Sequence, residues 1–600
     1  MSIKKLKIRC SIQDIYNNFK SGKDITTLEN LMVAWQFIKS LPASDPNSFM
    51  TLGGFHGEPF KGRGSYDVAN YWGGYCNHGN ILFPTWHRVY LYKLEKALQS
   101  VPGCESVMLP YWDQTYMVTV DEKLTYLGVP PILTDEYFTF STGVTIQNPL
   151  KSFIIPIAMQ DSEEANFYAK PIGYETVRYP LSGLMGTATD RAATEVNNSA
   201  YYIPGTNVID TKLTTKLLND NVVGWLSGTV IEPAKLQSGD GNEPVSQFMG
   251  GIDNNYHMSL EAPCYTVFSN TTSMGRWIKD NPGELLQAVE SPHGEIHLAV
   301  GGINTPFQDA NSDTEIKTHQ FWATDANGDM GENETAALDP IFFFHHCNVD
   351  RIFWIWQKKH NSTEMLDIKV PNWNEENGFY PGTNNIANQP PVGYEQNEQL
   401  NMDSPLYPFK FIENGGERYY RSSDVFNIES QLGLTYDNLS IDNNDGTKAT
   451  LDFVKFKRRE APKKSEKILV VDGINRALIN GSFVLTAYAT IKGERYFIGT
   501  ESVLSRWKVV ACRNCMTHLE VTAIFSLHQF SKEDLLFAIF EIQINGRKSN
   551  EAEFAKFKVV NQVNINNFIN SKIGGDSTHL NSSVMSSLNK QQTAYKFRVI

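Results

Sequence analysis

The stretch DPIFFFHHCNVDR, residues 339–351, places two histidines directly after three phenylalanines. Apolar residues continue beyond it as IFWIW, so the stretch predicts a long buried helix. Histidine is a poor residue for apolar packing unless its ring nitrogens bind something. Neighbouring residues on a helix diverge by about 100°, so only one of the pair can face a site beside the helix. We assign that role to His346 and expect His345 to point elsewhere and to make a supporting hydrogen bond.

Eight of the 13 histidines fall into two groups along the chain: His56, His78 and His87, then His257, His293, His297, His345 and His346. In the first group, His56 is predicted in the loop GFHGE, His78 follows in CNHGN, and His87 lies in the helix PTWHRVYLYKLEKAL. Three imidazoles that converge from a helix and loops would form one metal site.

The second group contains SPHGEIHLAV, in which His293 and His297 are four residues apart and therefore share one helical face. Ser291 is the predicted N-cap of this helix, and Pro292 its first residue. His346 would complete a second trio.

The chemistry of an all-imidazole trio suits zinc, copper, iron or nickel. A zinc hydrolase usually has one three-ligand site with an open position. Two separate trios without an obvious ligating carboxylate favour a pair of copper ions. The isolated histidines are predicted to be structural or exposed: His319, His360, His528 and His579.

Length and composition limit the function classes. A chain of 600 residues predicts one large and one smaller domain. Its net charge of −13 argues against nucleic acid or an anionic membrane as partner and favours a small uncharged substrate. The chain has no apolar run long enough for a membrane helix, and the start MSIKKLKIRCSIQD has no apolar segment after its charges, which predicts a cytosolic location.

The chain divides into a helical part and a β part. TTLENLMVAWQFIKSL and PTWHRVYLYKLEKALQS have apolar residues at helical spacing, whereas residues 115–250 have weak periodicity and are predicted as loops over the core. A polar, charged segment precedes alternating runs such as KILVVDG and GSFVLTAYAT. We therefore predict a core at 1–440, a linker at 441–467 and a β domain at 468–600.

Two motifs resemble the copper signatures of the tyrosinase and catechol oxidase family of type 3 copper proteins. HGNILFPTWHRVYLYKLE, residues 78–95, is similar to the first signature, and DPIFFFHHCNVD, residues 339–350, to the second. With LPYWDQT at 109–115 and AVESPHGEIHLAVGG at 288–302, the resemblance covers residues 25–440. It implies a mainly α core in which a four-helix bundle holds a dicopper site, with O2 as co-substrate.

Carried over residue by residue, the resemblance implies the ligands of both copper ions. His56, His78 and His87 would hold one ion, and the other ion would be held by His293, His297 and His346.

Three further residues acquire roles from the resemblance. Cys76 would form a thioether with His78, although a buried thiol is the alternative. Glu290 would orient a water that accepts a phenol proton. An equally weighted alternative is a structural role, in which its carboxylate interacts with the dipole at the N-terminus of the helix. Gly294 stands where good monophenol hydroxylases of the family often have asparagine, so hydroxylation is less secure than diphenol oxidation.

The C-terminal part resembles the β domain, sandwich-like and all-β, that covers the active site in latent fungal-type tyrosinases. Cys512 and Cys515 would bind Cu(I) for delivery, with a zinc knuckle or redox dithiol as alternatives. Val503 or Leu504 would plug the substrate pocket. The run KFKRR, residues 455–459, would be cut by an activating protease.

The resulting prediction is a latent tyrosinase that hydroxylates monophenols such as tyrosine and oxidises catechols to o-quinones, a chemistry associated with melanin formation. The alternatives are a catechol or o-aminophenol oxidase without hydroxylation and an oxygen carrier of the haemocyanin type. The oligomeric state stays open, with a homodimer as one option.

Overall fold

The structure is a computed structural model that describes most of the first 441 residues and the strands of the C-terminal part. The described residues are 6–57, 74–120, 123–160, 168–227, 229–230, 246–247, 251–281, 286–302, 327–368, 394–395, 398–441, 467–476, 479, 481–507, 509, 518–527, 530–546, 563–564 and 596–599.

The α-helices of the described residues lie almost wholly in the first 360 residues. In chain order they are α1 Ile12–Lys20, α2 Thr26–Ser40, α3 Phe49–Gly57, α4 Phe83–Gln99, α5 Ala188–Ser199, α6 Thr211–Ser227, α7 Ile252–Ser259, α8 Tyr265–Ser269, α9 Thr271–Asp280, α10 Glu290–Gly301, α11 Ile341–Lys359 and α12 Lys532–Leu535. None of these helices is long and apolar enough to cross a membrane, a finding limited to the described part of the chain.

The strands of the core are short and mostly form hairpins, whereas those of the C-terminal part are longer. They are β1 Lys7–Arg9, β2 Met117–Val120, β3 Lys123–Tyr126, β4 Tyr137–Thr139, β5 Thr145–Gln147, β6 Met159–Gln160, β7 Ala169–Lys170, β8 Thr229–Val230, β9 Ser246–Gln247, β10 Pro405–Glu413, β11 Gly416–Arg421, β12 Leu434–Tyr436, β13 Ile468–Asn475, β14 Phe483–Ile491, β15 Glu494–Val503, β16 Glu520–Ser526, β17 Ile539–Gly546, β18 Val563–Asn564 and β19 Lys596–Val599.

The predicted long helices are confirmed. TTLENLMVAWQFIKSL forms α2, and α4 begins with Pro84 in its first turn, where the missing amide hydrogen costs no intrahelical bond. The phenylalanine and histidine stretch forms α11, which is buried from Ile341 to Gln357. A helical core followed by a β-rich C-terminal region is therefore confirmed.

Two predictions about helix ends are wrong. The helix with His293 begins at Glu290 and has Val289 as N-cap, so Ser291 and Pro292 lie inside its first turn. Proline is tolerated there because the first amides have no intrahelical acceptor. His56 lies in the last turn of α3 and not in a loop. A Cβ on Gly57 would lie 1.6 Å from the Asn333 carbonyl oxygen, so the glycines of α3 serve close packing.

The prediction that residues 115–250 form loops is also wrong in part. Helices α5 and α6 lie within this range, and α6 packs against α10, the helix that carries His293. In α6 the buried residues Leu218, Val222 and Trp225 recur at helical spacing. They are separated by polar residues such as Asn221, which donates to the Ala299 carbonyl at 2.8 Å, and this mixture weakened the apolar pattern.

Buried ion pairs fix α4 and α11 against each other and against the N-terminal strand. Arg88 of α4 donates through Nε to Asp350 Oδ1 of α11 at 2.5 Å, and Arg9 Nη1 donates to Asp350 Oδ2 at 3.2 Å. Arg9 Nε also donates to Glu95 Oε2 at 2.9 Å. Removing one partner of such a buried pair leaves an uncompensated charge, so these residues hold the two helices in register.

The C-terminal strands form two antiparallel sheets. One has the order β16-β13-β19 and the other β15-β14-β17-β18. Side chains of the first sheet join the large apolar cluster of the helical core, among them Ile468, Val470 and Ile524. Trp507 packs with Tyr168 and Leu184 of the core. The C-terminal region is therefore docked on the helical part through an apolar interface.

Candidate metal centre

The six histidines named in the two trios converge from five places in the chain. His56 comes from the end of α3, His78 from the segment before α4, and His87 from α4. The ring centroid of His56 lies 5.3 Å from that of His78 and 5.5 Å from that of His87, and the rings of His78 and His87 are 5.6 Å apart. These three residues form the first trio.

The second trio is more tightly closed. The Nε2 atoms of His293 and His297 of α10 are 3.1 Å apart, and each lies 3.2 Å from Nε2 of His346 of α11. Three nitrogens that each stand about 2.0 Å from one ion are separated by about 3.3 Å when the angles are tetrahedral. The second trio therefore has the spacing of a metal site.

The two trios face one another. The rings of His87 and His346 are stacked at 4.5 Å, and those of His78 and His293 lie at 5.4 Å. The ligand atoms of His56, His87 and His346 also fall within 4.8 Å of one another. We group His346 with His293 and His297 because its Nε2 makes the shorter contacts there.

Backbone carbonyls orient two of the rings. His87 Nδ1 donates to the Phe83 carbonyl at 2.8 Å, and His297 Nδ1 donates to the Met330 carbonyl at 2.8 Å. In each ring the Nε2 lone pair is then turned towards the centre. Within the described part of the chain, both ring nitrogens of His56 and Nε2 of His87 are buried without a hydrogen-bond partner, which is costly unless a metal uses them.

Burial keeps the rings neutral, as metal binding requires. It lowers the pKa of His87 to about 3 and that of His297 to about 4. The pKa values of His56, His293 and His346 are held well below the usual range, first by burial and then by neighbouring histidines.

His345 is excluded from ligation by a hydrogen-bond chain. Arg351 Nη1 donates to Asn348 Oδ1 at 3.0 Å, so Asn348 Nδ2 donates to Gln114 Oε1 at 3.2 Å. Gln114 Nε2 then donates to His345 Nδ1 at 2.8 Å. A ring that accepts at Nδ1 carries its proton on Nε2, which removes the lone pair that a metal needs.

The supporting hydrogen bond predicted for His345 is thus present, but its predicted orientation is wrong in part. Its ring stacks on His293 at 5.3 Å, and it has a nitrogen within 4.8 Å of the ligand atoms of the second trio. The rings of both His345 and His346 lie close to the His293 ring, at 5.3 and 4.7 Å, so both neighbouring side chains reach the cluster. His257, in contrast, lies outside it, with Nε2 3.5 Å from Asp253 Oδ1.

Cys76 lies beside the first trio. One ligand atom from each of Cys76, His56 and His78 falls within a 4.8 Å cluster, and Cys76 Sγ is 3.9 Å from Asn333 Oδ1. Burial raises the pKa of the Cys76 thiol. The thioether between Cys76 and His78 stays a prediction.

Glu290 links both halves of the centre. Its Oε1 accepts from the Gly79 amide at 2.7 Å, one residue after His78, and its Oε2 accepts from the Thr271 amide at 2.9 Å and hydroxyl at 3.1 Å. Burial raises the pKa of Glu290, although these hydrogen bonds oppose the shift. The carboxylate therefore has a structural role and retains free acceptor capacity on Oε1.

A cavity of about 970 Å³ lies between the centre and the C-terminal strands. From the core it is lined by residues that include His78, Glu290, His293 and Gly294, and from the C-terminal part by residues 501–505. Val503 is buried in the apolar cluster of the C-terminal sheets, whereas Leu504 is half-buried at the cavity wall. Cys512, Cys515 and residues 455–459 lie outside the described residues.

Sequence reasoning missed several charged residues of this cavity. They are Arg276, Lys279, Asp472, Arg476, Glu501 and His518. The pKa of Glu501 is raised to about 8, first by burial and then by Glu290, and burial lowers the pKa of His518 to about 3. The His518 ring lies so close to the Gly79 backbone that a Cβ on Gly79 would be 2.9 Å from the imidazole.

A family model described as the common central domain of tyrosinase matches residues 46–359. The chain is 43% identical over 563 residues to tyrosinase HcTyr2 of Hahella sp. (strain CCB-MM4), a match that covers 90% of this chain and 92% of the relative. The chain belongs to the tyrosinase family. It is a tyrosinase-family enzyme, and the cofactor of this family is a pair of copper ions, which both trios fit.

Other tyrosinases agree with this membership. The chain is 38% identical over 541 residues to a tyrosinase of Aspergillus oryzae, covering 86% of this chain and 89% of the relative. The solved tyrosinase of Burkholderia thailandensis at low pH superposes with a TM-score of 0.73 at 39% identity and covers 99% of this chain and 100% of its own. The apo-protyrosinase melB of Aspergillus oryzae, at 17% identity and a TM-score of 0.55, shares the fold.

Proposed function

We propose that the chain is a latent phenol oxidase in which six histidines hold the two copper ions and the C-terminal region covers the substrate cavity. The first trio would hold one ion and the second trio the other. When bound, the copper pair supplies the activation of O2 and the exchange of electrons with the phenol. The observation that carries the proposal is the second trio, whose three Nε2 atoms lie 3.1–3.2 Å apart in a buried setting.

The chain's own residues would position and deprotonate the phenol. The ring enters through the cavity beside Gly294, where an added Cβ would meet nothing within 4 Å, so that the helix backbone leaves space for a substrate. Glu290 would receive the hydroxyl proton through a water at Oε1. The helices α3, α4, α10 and α11, which carry five of the six ligands, would form the bundle that keeps the trios rigid.

Latency is supported by the docked C-terminal strands. Leu504 is the better candidate for the pocket plug, because Val503 is already committed to the apolar cluster of its own sheets. Cleavage within 455–459 would release this region, and its two sheets, which share one apolar cluster, would leave as a unit. Copper delivery by Cys512 and Cys515, the Cys76 thioether and a cytosolic location remain predictions of the sequence.

A diphenol oxidase without hydroxylation is the second candidate, and Gly294 favours it. An oxygen carrier is disfavoured because the cavity reaches His293 and Gly294 and would admit a phenol. Oxidation of tyrosine as well as catechol would select tyrosinase activity. Copper loading without turnover of either compound, even after cleavage within residues 455–459, would select the carrier.

The adjacent histidines of α11 provide the test of the metal assignment. In the copper-loaded full chain, His346→Gln should lower the copper content from two ions to about one per chain and abolish catechol turnover, because it removes a ligand. His345→Gln is the matched control and should retain two ions. Copper content is measured by metal analysis after dialysis, and equal losses in both variants would contradict the assignment.

A further inference from the structure

The polar face of α9 forms one wall of the cavity. Thr272, Arg276, Lys279 and Asp280 line it, and their spacing of four, three and one residues places them on one side of the helix. The opposite side contributes Met274 and Ile278 to the buried core. This wall belongs to the helical core, so it would remain beside the metal centre when the C-terminal strands withdraw.

The two basic side chains of this wall have carboxylate partners in different parts of the chain. Arg276 donates through Nε to Asp280 Oδ2 at 2.9 Å, so this pair is neutralised within α9 itself. Lys279 has its anion in the C-terminal region, because its Nζ donates to Asp472 Oδ1. Thr522 supports the contact by donating to the same Asp472 oxygen at 2.7 Å while accepting from Lys279 at 3.2 Å.

Withdrawal of the C-terminal strands would leave Lys279 without its carboxylate. Two lysine or arginine side chains of the described core line the cavity, Arg276 and Lys279. Arg276 would keep its partner Asp280, whereas Lys279 would have no carboxylate from the core. The side chain is 23% exposed even in the docked chain, so its ammonium group lies at the cavity rim. In the docked chain, Asp472 occupies the place where an incoming carboxylate would bind.

Lys279 and His293 line the same cavity, so one small molecule in it can contact both. Thr271, which contacts Glu290, lies eight residues before Lys279, or about 12 Å along the helix axis at 1.5 Å per residue. Glu290 precedes His293 by less than one helical turn. The flexible stem of lysine shortens the remaining gap. A phenol that carries a carboxylate on a short chain is therefore the kind of molecule that would contact Lys279 while its ring occupies the cavity that His293 lines.

We propose that Lys279 is a specificity-determining residue that binds the carboxylate of acidic phenols and catechols, an inference that rests on the proposed function. The net charge of −13 favours neutral substrates at long range. Screening by salt limits that repulsion to about 10 Å, so the nearby ammonium group dominates for a molecule already at the rim. Acid recognition and closure thus use the same side chain, because Asp472 competes with the substrate carboxylate.

The test compares an acid with its neutral ester in the copper-loaded full chain. The substrates are 3-(3,4-dihydroxyphenyl)propionate and its methyl ester, and the readout is the ratio of their kcat/KM values. The ratio is independent of the fraction of molecules that are open, because latency reduces both rates alike. The acid-to-ester ratio of kcat/KM should be about threefold to tenfold higher in the unchanged chain than in Lys279→Met, as expected for a partly exposed ion pair.

Three variants make the result specific. Lys279→Arg should restore most of the acid preference, and Asp472→Asn, which keeps the lysine and removes its internal partner, should retain it. Lys216→Met removes the same charge from an exposed pair with Asp220 on α6 and should leave the ratio unchanged. An equal ratio in Lys279→Met and the unchanged chain would overturn the inference while the proposed function stands. Absence of turnover with both compounds, persisting after limited proteolysis within residues 455–459, would overturn the proposed function and this inference with it.

Discussion

Gly294 is the residue that separates the two proposed activities. It follows His293, lines the cavity, and has no atom within 4 Å of the place where a Cβ would be. Glu290, one turn earlier on the same helix, has one oxygen with remaining acceptor capacity. A side-chain amide at position 294 could therefore share a water with Glu290 without displacing protein atoms.

The prediction at this scale concerns hydroxylation. Gly294→Asn should raise the ratio of monophenol to diphenol turnover several-fold, because the added amide would hold the water through which Glu290 would accept the phenol proton. The ratio is measured with tyrosine and its catechol product on the same preparation. Gly294→Ala is the control that fills the space without an amide. An equal increase in both variants would remove the water explanation.

Sequence patterns singled out the histidines that the structure brings together, but not the charged residues around them. His293 and His297 share a helical face through their spacing, so they could be found from local periodicity. Lys279 and Asp472 are separated by 193 residues and meet through docking alone. The pairing of Gln114 with His345 depends in the same way on long-range packing, although Gln114 belongs to the motif LPYWDQT.

At the scale of elements, β15 brings a second buried carboxylate to the centre. This strand packs against α10, and its residue Glu501 lines the cavity opposite Glu290. Burial, and then the nearby Glu290, raises the pKa of Glu501 to about 8. In the withdrawn state the same carboxyl would face water and have an ordinary pKa of about 4.3.

This difference gives docking a pH dependence with a definite sign. The docked form holds the Glu501 proton up to about pH 8, whereas the proposed withdrawn form would lose it above about pH 4.3. Between these values the docked form binds more protons, so a rise in pH weakens docking. Catechol turnover is measured at each pH for the full chain and for Glu501→Gln, which lacks the titrating carboxyl. The quotient of the two rates, full chain over variant, should therefore rise from pH 5.5 to pH 8. A constant or falling quotient would contradict the account.

Elements whose apolar residues repeat with one clear spacing were predictable. Elements whose buried face mixes apolar with polar or glycine residues were not. The strand runs around β13 and β14 alternate or are continuously apolar, and the structure contains them. The helix α6 was missed because buried Asn221 interrupts its apolar face. The helical position of His56 was missed because Gly53 and Gly54 lower helix propensity, a cost that close packing against residues 336–338 outweighs.

At the scale of the whole molecule, the C-terminal region packs on the helical core and covers the cavity beside the metal centre. Apolar side chains such as Ile468 and Trp507 pack onto the core, and the Trp507 amide donates to Glu334 Oε1 at 2.7 Å. Charged residues meet within the cavity, where Arg476 has a buried Nε without a hydrogen-bond partner among the described residues. Burying such a group is unfavourable, so the apolar contacts must hold the assembly closed.

One measurement tests the central claim most directly. Catechol turnover is recorded on one sample of the full chain loaded with two copper ions, before and after limited proteolysis within residues 455–459. The account predicts low turnover before cleavage and an increase of at least about tenfold once the C-terminal region is released, at unchanged copper content. Equal turnover before and after cleavage, with the cut confirmed by mass, would contradict the claim that this region closes the site.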